Sequence, residues 1–409
     1  MTELDLNFVR SQFPAFQDEN FSGLSFFENA GGSFPANTVV SRLSRFYITR
    51  KVQPYATYDA SSQGGKEMDE ARDRMSKLLN VTGEELHLGP STSSNTYVLS
   101  QAFRTLKCKR NVIVVTNQDH EANSGAWWRL SRDGFEIREW KVNRESGQLS
   151  LGDLKSLLDD SVLLVAFPHC SNIVGEINPA KDICRLIQSY GAFSCVDGVS
   201  YVPHGFPNFS DLGADIYLFS SYKTYGPHLG VMYLSKRLNN LLENQGHYFN
   251  EHIPTKRFTP AGPDHAQIAS LAGIADYVDA IFNHHFDHEA TPEERAKCVH
   301  ELQRNHEKKL LAPLLNYLKG RIDVQLIGST NLKSRVPTVS LNLGASVEKV
   351  TMGLCNDGMM VASGDFYAVR LLEALGIDLK YGVLRLSFVH YTSEQDVERL
   401  IAALDKYLP

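Results

Sequence analysis

The chain has 409 residues, of which 43% are hydrophobic, and its 47 acidic and 41 basic side chains give a formal net charge of −6. A chain of this length usually builds more than one core, so we expect two lobes. The mildly acidic balance, without runs of like charge, argues against nucleic acid or a membrane surface as partner and favours a small molecule. Because no stretch approaches about 18 consecutive apolar residues and the N-terminus has no apolar signal segment, we expect a soluble, cytoplasmic protein.

The cysteines do not have the spacing of a disulfide framework or of a zinc site. No C-x-x-C pair occurs, and several cysteines lie within apolar runs such as FSCVDG. We therefore predict reduced cysteines in the core. The six positions are Cys108, Cys170, Cys184, Cys195, Cys298 and Cys355.

The predicted elements begin with a brief apolar strand broken by glycines in 24–35, followed by helical patterns at 36–50 and 64–80. From residue 85 onward, short apolar strands alternate with amphipathic helices, which predicts a mostly parallel sheet covered by helices on both faces. This first lobe is therefore of the α/β class. Its strands are predicted at 85–89, 111–116, 136–142, 161–169, 192–199 and 215–221, with helices at 95–106, 124–134, 149–158 and 179–191.

A second, smaller α+β lobe is predicted from the pattern that follows. A long helical stretch covers 265–318, after which strands and helices alternate again. We expect a large domain at 17–282 and a small C-terminal domain at 283–409, and we expect the N-terminal residues 1–16 to pack with the small domain. The small-lobe strands are predicted at 324–328, 336–343 and 383–390, and its helices at 346–358, 366–376 and 393–408.

Ligands of open α/β sheets bind beyond the carboxyl ends of the strands, so the residues after each strand are the candidates for chemistry. The stretch HLGPSTSSN passes from a strand into a helix and offers amides and the hydroxyls of Ser91 and Thr92 to one anion, which suits a phosphate. An ordinary helix N-cap is the alternative interpretation. The chain has no Walker lysine and no G-x-G-x-x-G, so the sequence does not support nucleotide binding.

Lys223 lies in DIYLFSSYKTYGPHLGVMYL, between two apolar runs that both predict buried strands. Burial disfavours the charged form of a lysine and yields a neutral nucleophile. The alternative is a turn lysine that reaches solvent.

Three further side chains follow predicted strands. His120 could lie flat on an aromatic ligand, or simply be hydrogen-bonded, and Asp197 is costly at a buried strand end unless it meets a cation or several donors. In GVLRLSF, Arg385 points away from its apolar neighbours, toward the cleft between lobes or into a surface ion pair. An anion cradle, an imidazole, an acid, a lysine and an arginine together match the needs of pyridoxal phosphate (PLP) acting on an amino acid.

The motifs FFENAGG, GPSTSSN, DHEAN, VDGVSYV, FSSYKTYGP and VLRLSF, in this order across most of the chain, resemble the class V aminotransferase group of fold-type I PLP-dependent enzymes. Within that group they are similar to the cysteine desulfurase-like proteins. The resemblance implies catalytic roles for Lys223 as the Schiff-base lysine, Asp197 as partner of the pyridine nitrogen and His120 as the ring stacked on the cofactor. It also implies a homodimer whose active sites are shared between subunits.

The same resemblance assigns two sets of contacts. The cofactor-binding residues would be Ser91, Thr92, His120, Asp197, Ser200, Ser220, Tyr222 and Lys223. The substrate-binding residues would be Asn29, Tyr367 and Arg385.

Departures from the desulfurase pattern lie in MMVASGDFYAVRLL, where the family carries an arginine and then the nucleophilic cysteine on a mobile loop. Ala362 replaces that arginine and Tyr367 replaces the cysteine. The nearest cysteine in sequence, Cys355, is predicted to lie in an amphipathic helix and to be buried in the protein core. The family also has a Gly-Thr-Pro segment through which the second subunit contacts the cofactor phosphate. This chain has PAGPDHAQIA at that position, which leaves the roles of Asp264 and His265 open. The histidines of NHHFDHE fit no standard ligand spacing, so we predict no metal site.

These features predict a PLP-dependent enzyme that acts on an amino acid. A lyase that eliminates a substituent at the β-carbon, with C–S or C–Se cleavage as an option, is the favoured interpretation, because the resemblance is closest to the desulfurase branch while the sulfur-accepting cysteine is missing. An aminotransferase and an amino-acid epimerase are the alternatives. A non-catalytic binding protein of the same fold is a more remote one.

Overall fold

The computed structural model describes residues 2–262 and 264–409 and contains a large lobe built on a seven-stranded sheet. The strand order is β2-β8-β7-β6-β5-β3-β4, and β8 is antiparallel to both of its neighbours while the pairs from β7 to β4 are parallel. The α/β class and the mostly parallel sheet are confirmed. The strands are β1 Ser25–Phe26, β2 Leu86–Gly89, β3 Val112–Thr116, β4 Glu136–Trp140, β5 Val162–Pro168, β6 Phe193–Asp197, β7 Ile216–Ser220, β8 Gly230–Leu234, β9 Gln325–Ile327, β10 Thr338–Asn342, β11 Met359–Met360, β12 Ala362–Gly364 and β13 Val383–Ser387.

Helices cover the sheet on both sides, which buries every residue of β3, β5, β6, β7 and β8. This explains why these strands read as nearly continuous apolar runs. The helices are α1 Leu6–Ser11, α2 Asn37–Thr49, α3 Asp59–Leu78, α4 Thr92–Arg104, α5 Glu121–Arg129, α6 Leu151–Leu157, α7 Ala180–Ser189, α8 Phe209–Leu212, α9 Lys236–Leu241, α10 His265–Ser270, α11 Ala272–His285, α12 Pro292–Lys319, α13 Val347–Asn356, α14 Val369–Ala374 and α15 Glu394–Tyr407.

The two faces of the large sheet belong to separate apolar clusters. In β7, Tyr217 and Phe219 pack into one cluster, and Ile216 and Leu218 pack into the other. This is the alternation expected of side chains along a strand. Residues that must face a ligand are therefore found at the strand ends rather than within the strands.

The small lobe contains the antiparallel sheet β12-β13-β10-β9 and its own apolar cluster. Helix α12 contributes to both lobes, because Val299 and Leu302 pack in the large-lobe cluster and Leu311 and Leu314 pack in that of the small lobe. The strand pair β1–β11 also attaches the N-terminal segment to the small lobe. We therefore propose a domain boundary within α12 instead of the predicted division between residues 282 and 283.

All six cysteines are free, in agreement with the prediction of reduced thiols. The prediction that they lie in the core is wrong for Cys108 and Cys355, which are exposed, and Cys298 is only partly buried. Among the described helices, none is both long enough and apolar enough to cross a membrane.

Candidate active site

The loop between β2 and α4 forms a cradle of donors at the edge of the large sheet. The Ser91 hydroxyl caps α4 by accepting from the Ser94 amide at 3.1 Å. The Thr92 hydroxyl lies 2.8 Å from that of Ser220 at the end of β7. The amides of the first helical turn have no intrahelical acceptor, and the 13-residue helix directs the positive end of its dipole here. The cradle therefore suits a phosphate.

Glycine is required where β8 passes behind this cradle. A Cβ on Gly230 would lie 2.3 Å from the carbonyl carbon of Ser91, closer than atoms can approach. The absence of a side chain lets the strand support the Ser91–Thr92 backbone directly. The cradle is thus supported by β8, which packs against its backbone, and by Ser220, which is hydrogen-bonded to Thr92.

Lys223 ends the 3₁₀ turn Ser221–Lys223 that follows β7, and its side chain is buried, with 9% of the residue exposed. Burial lowers the pKa of this amine to about 8, an effect that the nearby charge of Arg385 reinforces and those of Asp197 and Glu28 oppose. About a tenth of the amine is therefore neutral at pH 7, far more than for an ordinary lysine. The alternative of a turn lysine in solvent is wrong.

Asp197 is the last residue of β6 and is 5% exposed. Its carboxylate accepts a hydrogen bond from the Val199 amide at 2.8 Å. Burial raises the pKa of Asp197 to about 6, while that amide and the charge of Lys223 pull it back. A cation against the carboxylate would keep Asp197 ionised, which is what a protonated pyridine nitrogen provides.

His120 precedes α5, and its Nδ1 accepts from the Ala122 amide at 3.0 Å. Burial lowers the pKa of His120 to about 3, with further contributions from the charges of Lys223 and Arg385. The imidazole is therefore neutral, and since Nδ1 is an acceptor, the proton is assigned to Nε2.

All eight predicted cofactor-binding residues line one cavity of about 540 Å³. The lysine amine, the carboxylate, the neutral imidazole and the phosphate cradle all face this one cavity. PLP requires each of these, and so the residues present fit the cofactor. The lining residues are Ser91, Thr92, Ser93, His120, Ala122, Pro168, Cys170, Asn172, Asp197, Val199, Ser200, Ser220, Tyr222 and Lys223.

A second cavity, of about 1060 Å³, adjoins the first and shares Lys223 and His120 with it. We call it the substrate-side cavity. The predicted substrate residues Arg385 and Tyr367 line it, together with Glu28, Phe366 and others. Its full lining is Glu28, Ala30, Gly31, Ser93, Tyr97, His120, Glu121, Ala122, Asn172, Tyr222, Lys223, Phe366, Tyr367 and Arg385.

Arg385, in β13, is the buried cation of the substrate-side cavity, with 3% of its side chain exposed. Its Nη2 donates to Glu28 Oε1 at 2.6 Å, and its guanidinium carbon lies 3.7 Å from the centroid of the Phe366 ring. Burial lowers the pKa of Arg385, and the Glu28 carboxylate counteracts this. The guanidinium is therefore charged, stacked on one face and paired at one edge.

The segment that carries Phe366 and Tyr367 has an unusual backbone. Both residues are left-handed, with φ of 49° and 58°. Asn172 Nδ2 donates to the Phe366 carbonyl at 3.0 Å and the Glu121 amide donates to that of Tyr367 at 2.9 Å. These two bonds to the large lobe hold a conformation that is costly for non-glycine residues. The predicted helix of 366–376 begins only at Val369.

The chain matches a known protein family. Residues 25–400 match the family model described as aminotransferase class V. The chain belongs to that family. An aminotransferase-like protein of Gibberella zeae is 32% identical over 419 residues, which cover 98% of each chain, and a cysteine desulfurase of Cronobacter sakazakii is 27% identical over 415 residues, covering 97% of this chain and 96% of the relative.

Solved structures agree with the fold of a class V, fold-type I enzyme. A cysteine desulfurase from Thermococcus onnurineus NA1 superposes with a TM-score of 0.85 at 21% identity, covering 100% of this chain and 99% of that one. A cysteine desulfurase from Escherichia coli gives 0.82 at 20% identity, covering 99% and 98%. Class V aminotransferases and cysteine desulfurases are PLP-dependent, which confirms the predicted cofactor.

Some residues of this class V enzyme lie elsewhere than their predicted roles suggest. Asn29 is buried behind the substrate-side cavity, where its side chain accepts from the Tyr391 hydroxyl, and it lines neither cavity. Asp264 caps α10 and accepts from the Tyr47 hydroxyl at 2.6 Å, and His265 lines a separate cavity of about 940 Å³. Neither Asp264 nor His265 lines the cavity that contains the cradle.

Glu28 and Asn172 belong to the site but are not among its predicted residues. Glu28 precedes Asn29 in the FFENAGG motif, and Asn172 follows β5 by four residues, so strand-end position was an available signal for both. Asn172 lines both cavities, and its Oδ1 is buried without a partner in the described part of the chain.

Proposed function

We propose that this protein is a PLP-dependent lyase that removes a substituent from the β-carbon of an amino acid, with a sulfur or selenium substituent as an option. The observation that carries the proposal is the make-up of the substrate-side cavity. Its lysine and arginine side chains are Lys223 and Arg385, and Phe366 and Tyr367 also line it. A cavity with one guanidinium suits an amino acid with a neutral or departing side chain better than the dicarboxylates that many transaminases use.

Each cofactor-facing residue has a defined task in this proposal. The first turn of α4, with Thr92 and Ser220, would bind the phosphate. Asp197 would hold the proton on the pyridine nitrogen, and His120, neutral and fixed through Nδ1, would lie against the ring. When bound, PLP withdraws electrons from the α-carbon of the substrate. Lys223 Nζ would hold the cofactor covalently and, when free, would take the α-proton of the substrate, for which a pKa of about 8 is well suited.

Tyr367 is proposed to supply a proton to the departing group. Tyr367 is 71% exposed, it lines the substrate-side cavity, and its ring lies 5.3 Å from that of His120, which lines both cavities. Asp365, whose carboxylate accepts from the Tyr367 amide at 2.8 Å, is the alternative donor. A phenol or a carboxyl can donate a proton, but neither accepts sulfur as a thiolate does.

An aminotransferase is the second candidate. The relative from Gibberella zeae, named aminotransferase-like, is 32% identical, against 27% for the cysteine desulfurase from Cronobacter sakazakii. A transaminase must also bind a keto acid to regenerate its cofactor, and that requirement separates the two activities experimentally.

The deciding experiment is anaerobic incubation of the holoenzyme with a panel of amino acids, with the cofactor spectrum recorded and products identified by mass. A lyase turns over many times without a keto acid, releases ammonia and a keto acid, and leaves the cofactor in its aldehyde form. Accumulation of the pyridoxamine form after one turnover, relieved by a keto acid, would establish the aminotransferase instead. Loss of α-hydrogen label without net product would indicate the epimerase.

We also propose a homodimer, supported by exposed apolar side chains in α2, in the segment between α2 and α3 and in the 248–253 loop. These aromatic and aliphatic side chains would be costly to leave in water. Sedimentation of the native protein tests this, and a monomer at micromolar concentration would contradict it. The surface comprises Tyr47, Ile48, Val52, Tyr55, Tyr58, Tyr248, Phe249 and Ile253.

A further inference from the structure

Glu28 holds the guanidinium that the proposed function assigns to the substrate carboxylate. Its Oε1 is 2.6 Å from Arg385 Nη2. The Arg385 Nη1 lies 3.4 Å from the Asn172 carbonyl oxygen, the face is covered by Phe366, and Nε is buried without a partner in residues 2–262 and 264–409. The edge of the guanidinium that would receive a carboxylate is thus already engaged by a carboxylate of this chain.

Gly31 makes space for this arrangement. A Cβ on Gly31 would lie 1.9 Å from Glu28 Oε2, and the Gly31 amide donates to the Glu28 carbonyl at 2.9 Å, closing a tight turn. Gly31 does not have a positive φ, so the glycine is needed here for space rather than for backbone conformation. The turn directs the Glu28 carboxylate onto Arg385.

The two partners differ in their freedom to move. The Arg385 side chain is 3% exposed and that of Glu28 is 21% exposed. Arg385 is fixed by β13 and by Phe366, whereas Glu28 borders the open part of the cavity beside Gly31 and Ala30. Any exchange of partners must therefore occur by movement of Glu28.

We propose that Glu28 occupies the carboxylate site of Arg385 in the free enzyme and that the substrate's carboxylate has to displace it, which makes Glu28 a specificity-determining residue. The proposal rests on the proposed function, since it requires Arg385 to bind substrate. The carboxylate of an amino acid can bind Arg385 only if the charge-assisted hydrogen bond between Glu28 and Arg385 breaks, so one such bond replaces another. An amine without a carboxylate leaves the Glu28–Arg385 pair intact, so the pair reduces the enzyme's preference for amino acids over amines.

Two variants free the arginine in different ways. Glu28→Gln keeps the size of the side chain and removes its charge, and Gly31→Ala pushes the carboxylate away by steric contact. Glu121→Gln is the matched control, because Glu121 lines the same cavity but pairs with Arg370. Replacing a charge-assisted bond by a neutral one should tighten carboxylate binding by about tenfold.

The test is calorimetric titration of each holoenzyme with propionate, which has a carboxylate but no amine to react with the cofactor, and with propionamide, its neutral counterpart. We expect Glu28→Gln and Gly31→Ala to bind propionate about tenfold more tightly than the native enzyme, Glu121→Gln to stay within about twofold, and propionamide to show no difference. Adding Arg385→Ala to Glu28→Gln should abolish the gain. Equal propionate affinity in native enzyme and Glu28→Gln would overturn the proposal.

The outcomes separate this proposal from the proposed function. If Arg385→Ala lowers kcat/KM for amino acids but Glu28→Gln changes neither propionate affinity nor KM, only the role of Glu28 is wrong. If Arg385→Ala leaves kcat/KM unchanged, Arg385 does not bind the substrate and both fail. Should Glu28→Gln weaken propionate binding, Glu28 positions the arginine instead of competing for it, and the proposal is also overturned.

Discussion

The Phe366 ring and the Arg385 guanidinium lie against each other, with 3.7 Å between the guanidinium carbon and the ring centroid. The contact joins the left-handed segment of the small lobe to β13 and covers one face of the cation. The edge of the guanidinium remains, and there Nη2 donates to the Glu28 carboxylate at the substrate-side cavity. A planar cation held in this way presents its N–H groups as a fork, which is the geometry that a carboxylate recognises.

Replacing Arg385 by alanine is therefore expected to lower kcat/KM for the amino-acid substrate by about 30- to 1000-fold, because a paired carboxylate loses its partner. Lysine should rescue only part of this, since it lacks the planar fork. Steady-state kinetics measure the effect, and an amine lacking the carboxylate is the control that should be little affected. An unchanged kcat/KM would make the Glu28–Arg385 pair purely structural.

Lys223 should react as a neutral amine at unusually low pH. Its pKa is lowered from 10.5 to about 8, so the rate of PLP uptake by the apoprotein should rise with pH around a midpoint near 8 rather than above 10. Stopped-flow absorbance measures this rate. Borohydride reduction of the holoenzyme should fix a pyridoxyl group on the peptide that contains Lys223, and Lys223→Ala should lose both signals. Labelling of a different lysine would refute the assignment.

The Thr92 hydroxyl is predicted to contribute to phosphate binding with Ser220. Thr92→Val keeps the shape of the side chain and should raise the Kd for PLP by about tenfold, the effect of one lost hydrogen bond to a charged group. Thr96→Val is the control, because the Thr96 hydroxyl bonds the Thr92 carbonyl within α4 at 3.0 Å and does not line the cavity. Equilibrium dialysis with PLP and with pyridoxal, which lacks the phosphate, measures the two affinities. If Thr92→Val lowered the affinity for both ligands equally, a contact between Thr92 and the phosphate would be excluded.

Free cysteine is predicted to leave no catalytic persulfide on this protein. Cys170 lines the cofactor cavity, but burial raises the pKa of its thiol well above the ordinary value, which keeps it protonated and a poor nucleophile. Cys355 is exposed but lines neither the cofactor cavity nor the substrate-side cavity. Mass spectrometry of the intact protein after incubation with cysteine is the measurement. A persulfide that forms and turns over at a rate matching catalysis would make the protein a desulfurase after all.

The sequence alone was sufficient for the large lobe and for most of the cofactor cavity. Strands buried on both faces must be apolar almost throughout, so polar side chains at their ends, such as Asp197 and Lys223, are conspicuous. Because parallel strands bring their carboxyl ends to one edge, residues far apart in the chain could be placed together without knowing the strand order. The structure brings these strand-end residues into one cavity.

Only the tertiary structure decided the substrate side. Glu28 and Arg385 are 357 positions apart, and nothing local in either segment indicates that they pair. Phe366 and Tyr367 resemble the start of a helix in sequence, yet both are left-handed because Asn172 and Glu121 bind their carbonyls from the other lobe. Such contacts between lobes outweigh local propensity, which amounts to less than about 1 kcal/mol per residue, and local sequence carries no record of them.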